Sequence, residues 1–148
     1  MSDSIRHLVE EAVKSAMRER NKEKTSTLRM ALSELKKEEI DRREEITNED
    51  SIKILQRMIK QRKESKAQFL DAGRSELANK ENEEILILQD FLPEQLSEEA
   101  IKVIVLEAIS ETQAKEPQDM GKVMGALKSK LKGNADMGIV SKIVKENL

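Results

Sequence analysis

His7 is the single histidine of the chain and no cysteine accompanies it. Nucleophilic catalysis through a thiolate is excluded, and so are a disulfide framework and a thiolate metal site. A lone histidine on a first amphipathic helix reads as a structural or surface residue. Adjacent acids occur at Glu38-Glu39, Glu83-Glu84 and Glu98-Glu99. On a helix, neighbours in sequence diverge by about 100°, so such pairs do not face one substrate as an acid and a base. They read as solvated faces or ion-pair partners. There is no glycine-rich phosphate loop and no metal-ligand spacing, so no catalytic residue, metal or cofactor is assigned.

Basic and glycine residues carry more. Asp119-Met120-Gly121-Lys122-Val123-Met124-Gly125 is followed by Leu131-Lys132-Gly133-Asn134-Ala135-Asp136. Gly121 and Gly125 share one helical face, where missing side chains admit another backbone. That backbone is either a packed helix or a nucleic acid. Lys122, Lys128, Lys130, Lys132 and Lys142 supply charges suited to phosphate, and Gly133 shapes the turn between them. The last helix lacks arginine, so reading of DNA bases is not expected, and phosphate and shape recognition is. A second basic group is Lys60, Arg62, Lys63 and Arg74. Arg62 and Lys66 also continue an apolar stripe, where cations need partners. Glu39, Glu81 and Glu84 can provide them; an ion network or an anion-binding cleft both fit.

The elements that position these residues read as helices. Hydrophobic residues make up 37% of the 148 and charged residues 38%, with 27 basic against 29 acidic. Small net charge with periodic apolar residues favours folding over disorder. The two aromatic residues, Phe69 and Phe91, leave little for base stacking. Up to Leu92 there is one glycine, Gly73, and no proline. Ser4 is a candidate N-cap for a helix burying Ile5, Leu8, Val9, Ala12, Ala16 and Met17. A second helix carries Leu28, Ala31, Leu32 and Leu35. Thr47 and Asp50 form a capping box opening a third, with Ile52, Leu55, Ile59 and Phe69. Gly73 ends it in a left-handed cap, and a fourth helix runs through Leu77, Ile85 and Leu88.

Pro93 marks the joint. Ser97 caps a fifth helix through Ile101, Val105 and Ala108, with a Leu96–Ile101 hydrophobic staple. A sixth extends from about Asp119 to Leu131, and Asp136 caps the last. The expected fold is all-α: an N-terminal four-helix lobe over 1–92, then a small three-helix C-terminal lobe over 93–148. Charge is uneven between them. Residues 1–92 sum to −1, residues 93–116 to −4 and residues 117–148 to +3. No run approaches a membrane span and no apolar leader is seen, which predicts a cytoplasmic protein.

These residues carry a resemblance. Met120–Gly125, Lys132–Asp136 and Ile143–Leu148 resemble the tail shared by the YqeY family and GatB, the tRNA-binding subunit of a glutamine-dependent amidotransferase. Leu28-Arg29-Met30, Lys60–Ser65, Ala72-Gly73-Arg74, Glu81 with Glu84-Ile85, and Leu92-Pro93 resemble the YqeY family as well. Met137 departs from the small or varied residues common at its position. The resemblance implies a two-lobed helical accessory module that binds tRNA or a tRNA-dependent amidotransferase or aminoacylation complex. Its alternatives are a protein–protein adaptor without RNA contact, and an amidotransferase-type carbon–nitrogen ligase using glutamine.

Overall fold

The computed structural model describes residues 4–93, 95–131 and 133–148. Among these residues the first four helices are α1 (Ile5–Arg18), α2 (Lys22–Arg42), α3 (Asn48–Asp71) and α4 (Ser75–Gln89). After Pro93 come α5 (Glu98–Thr112), a 3-10 turn (Pro117–Asp119), α6 (Met120–Leu131) and α7 (Met137–Asn147). No strand forms among the described residues, and the fold is all-helical. Two compact units result, one ending at Leu92 and the other running from Pro93 to Leu148.

Local chemistry sets the helix ends of the first unit. The Ser4 hydroxyl accepts from the His7 N–H at 3.1 Å, and Asn21 does the same for Lys24 at 3.1 Å. Thr47 and Asp50 exchange side-chain and backbone bonds in a full capping box. Gly73 takes φ +73, and the Arg74 N–H returns to the Phe69 carbonyl at 2.8 Å. This turn folds α4 back along α3, so that Lys66 meets Asn82 and Arg62 meets Glu84.

The core of this unit joins Ile5, Val9, Leu35, Leu55, Ile59, Ile85 and Leu88. A satellite cluster holds Val13, Ala16 and Leu28. The buried stripe of α1 is therefore Ile5, Val9, Val13 and Ala16. Leu8 and Met17, expected inside, are exposed. The buried seam is a narrow row, and residues about 100° away from it reach solvent.

In the second unit one core contains Ile101, Val105, Ala108, Val123, Leu127, Leu131, Val140 and Val144. Ser97 accepts from the Ala100 N–H, and Leu96 and Ile101 share the core as a staple requires. The Leu96 N–H donates to the Asn134 carbonyl at 2.8 Å. The Gln95 amide donates to the Gly133 carbonyl, also at 2.8 Å. Asp136 caps α7 through the Gly138 N–H. Among the described residues no helix is long and apolar enough to cross a membrane.

Candidate nucleic-acid interface

The start of α6 is held by Asp119. Its carboxylate accepts from the Lys115 and Glu116 N–H groups at 3.0 and 3.2 Å. These two bonds, with nearby Lys122, keep its pKa below the usual carboxylate range. From that anchor α6 turns Val123, Leu127 and Leu131 into the core. The opposite side carries Gly121, Lys122, Gly125 and Lys128, all exposed.

Packing of a neighbouring helix on the glycines, one of the two sequence expectations, is not found among the described residues of this unit. A Cβ built at Gly121 or at Gly125 meets nothing within 4 Å. Both sit in ordinary right-handed helix, so neither turn geometry nor crowding calls for glycine there. What remains is a bare stretch of helix backbone, open to solvent and edged by two lysines.

The lysines differ in how free they are. Lys128 makes no ion pair among the described residues. Lys122 reaches the Thr112 carbonyl at the end of α5, at 3.5 Å. Lys130 points along the flank towards α5 and pairs with Glu111 at 2.6 Å, so its charge is already answered. Lys142 is exposed on α7, opposite Val140, Ile143 and Val144. Gly133 has φ +88 and makes the turn after α6. Lys132 lies outside the described residues.

The second basic group does not assemble. Lys60 and Lys63 are exposed on α3, but Arg62 faces inward with a side chain only 9% accessible. Its Nε lies 3.4 Å from Glu84 Oε2, Nη1 donates to the Met58 carbonyl at 3.2 Å, and Nη2 approaches Met30 Sδ at 3.9 Å. Arg74 stands at the α3–α4 turn. It is separated from Lys60 by roughly 17 Å of helix at about 1.5 Å per residue. Arg62 thus leaves the surface patch, and the cations on the α3 stripe form a structural network. Lys66 donates to Asn82 at 2.9 Å. Glu81 joins the same cluster, and burial, then the neighbouring Glu84 charge, push its pKa above the ordinary glutamate range. Glu39, the third acid considered, pairs instead with Arg6.

One surface escaped the sequence reading. Val103 and Leu106 are exposed on α5, three residues apart. The signal was present: both fall off the Ile101–Val105–Ala108 stripe.

The YqeY family model, described as Yqey-like protein, matches residues 6–148. The chain belongs to the YqeY family. Among curated relatives, an uncharacterized protein of Schizosaccharomyces pombe is 33% identical over 94 residues, which is 64% of this chain and 76% of that one. Altered inheritance of mitochondria protein 41, mitochondrial, of Eremothecium gossypii is 32% identical over 92 residues, covering 62% of this YqeY chain and 50% of the relative. The protein of the same name in Vanderwaltozyma polyspora is 35% identical over 81 residues, 54% of this chain and 44% of its own. The match spans about half the length of these two relatives or less.

Proposed function

We propose that this YqeY protein is an accessory module that holds tRNA through its second unit, alone or within a tRNA-dependent amidotransferase or aminoacylation complex. The observation that carries the reading is the bare face of α6. A helix backbone exposed at Gly121 and Gly125 lets a sugar–phosphate chain come closer than any side chain would allow. Lys122 and Lys128 stand at its edge, Lys142 adds charge from α7, and residues 117–148 carry +3. Gly133 keeps the following turn tight. The overall charge of −2 fits modest, salt-sensitive affinity rather than tight nonspecific binding. A cytoplasmic location is part of this proposal. The test is binding of the full chain to total tRNA across a salt series, with Lys122→Gln and Lys128→Gln alongside. Salt-dependent binding weakened by both substitutions supports it, and no binding at low salt removes it.

Val103 and Leu106 favour a second reading, a protein–protein adaptor. They form an exposed apolar pair on a helix that also carries Glu98, Glu99, Glu107 and Glu111. This combination suits a partner with an apolar groove bordered by cations. Amidotransferase-type ligation with glutamine ranks behind both, because it rests on kinship and has no residue assigned to it.

A further inference from the structure

The end of α1 and the outer side of α2 border an open groove of about 640 Å³, whose lining includes Met17, Arg20, Lys22, Ser26, Arg29 and Met30. That volume lies within the range of roughly 300–1,000 Å³ typical of small-molecule sites. Three cations line it and no carboxylate does. Of the arginines in this unit, Arg6, Arg42, Arg57 and Arg62 pair with an acid, and Arg20 and Arg29 of the groove are among those that have no acid partner among the described residues. The Arg29 Nη2 rests 3.4 Å from the Met17 sulfur, a weak and uncharged acceptor. Arg20 occupies a left-handed position at φ 58, where glycine is the usual residue after a helix, and so puts an arginine at the rim.

We propose that this groove binds a nucleoside phosphate. Arg20, Lys22 and Arg29, with the Ser26 hydroxyl, supply donors for phosphate oxygens. Met17 and Met30 are half-exposed, at 50% and 49%, with the Met17 sulfur against Arg29 and the Met30 sulfur towards Arg62. Polarizable sulfur beside an open slot suits the edge or face of a planar base. Leu28, the neighbour of Arg29, is fully buried and fixes this register of α2. The ligand chemistry has two sources, a free mononucleotide or a nucleotide of a single-stranded RNA. The site shares no residue with the α6 face and does not depend on it.

The test uses the full chain with carbon-13 methionine methyls. Adenosine 5′-monophosphate, inorganic phosphate and an RNA trinucleotide are each titrated in. The nucleotide is expected to shift the Met17 and Met30 methyls saturably and to leave Met120, Met124 and Met137 in place. Arg29→Gln, at an exposed position, is expected to weaken binding about tenfold without lowering the melting temperature. Ser26→Ala is a second variant for the same readout, with a smaller loss. Stronger binding of the trinucleotide assigns the RNA source, and otherwise the free nucleotide is assigned. Methyls unmoved by either nucleotide ligand, or an unchanged affinity in Arg29→Gln, overturn the site. Inorganic phosphate binding as tightly as the nucleotide overturns the base-binding role of the methionines. Lys128→Gln separates the two proposals, because it weakens tRNA binding at α6 and leaves these methyl shifts intact.

Discussion

Arg62 Nε lies 3.4 Å from Glu84 Oε2 between α3 and α4, close enough for strong Coulomb attraction but angled so that Nε itself makes no hydrogen bond. The pair holds a charge inside a helical seam. Glu84→Gln removes the nearest counter-charge of the buried guanidinium and leaves only the more distant Glu81. The expected loss is about 2–4 kcal/mol, below that of a fully buried pair because Glu84 stays partly open to water. The double variant Arg62→Met/Glu84→Leu is expected within about 1 kcal/mol of the parent or above it. Urea denaturation of the three proteins measures both.

Glu81, beside that pair, gives a pH signature. Its folded-state pKa is raised, so the folded chain retains the proton more firmly than the unfolded chain does. The stability this contributes is fully present below the unfolded pKa and is lost as pH rises through the folded one. Glu81→Gln removes the loss. Melting temperatures of parent and variant are expected to diverge in favour of Glu81→Gln as pH rises from the ordinary glutamate range towards neutrality. A constant gap across that window contradicts the assignment.

Gly121 and Gly125 set stability against binding. With free space around both positions, Gly121→Ala and Gly125→Ala should each stabilise α6 by about 0.5–1 kcal/mol. The same methyl groups stand where a nucleic-acid backbone is proposed to approach, so tRNA affinity should fall. Thermal melts and filter binding on the same preparations test the two effects together. Stabilised variants with full tRNA affinity would show that the bare face does not meet the RNA.

Lys128 and Lys130 are close in sequence but not in electrostatic situation. Removing one lysine that neutralises a phosphate should flatten the slope of log affinity against log salt by roughly 0.7–0.9. That change is expected for Lys122→Gln and Lys128→Gln. Lys130→Gln should alter the slope least, since Glu111 already neutralises Lys130.

Val103→Ser with Leu106→Ser addresses the adaptor reading. Both side chains are exposed, so stability should stay within about 0.5 kcal/mol of the parent. Capture of a protein partner from nuclease-treated lysate should be abolished. Equal capture by the double variant and the parent removes α5 as the docking face.

Helix existence and capping were legible in the sequence because both are local. Ser4, Thr47, Ser97 and Asp136 each accept the N–H that their position requires. Apolar spacing identifies most of the core and fails where a face is narrow: it overlooks Val13 and places Leu8 and Met17 inside. The site was less legible, since spacing says which residues share a face but not what lies opposite. Arg62 sits among lysines in sequence and across from Glu84 in space. The glycines of α6 have the spacing of a packing motif, and among the described residues nothing packs on them.

The two bonds from Gln95 and Leu96 to the Gly133–Asn134 turn close the second unit on itself like the clasp of a necklace. The stretch before α5 is therefore not idle leader but one half of a fastening whose other half lies 38 residues on. A gene fragment meant to carry this unit alone must begin ahead of Gln95. Started at Ser97, it would keep all three helices and lose these two bonds to the turn after α6.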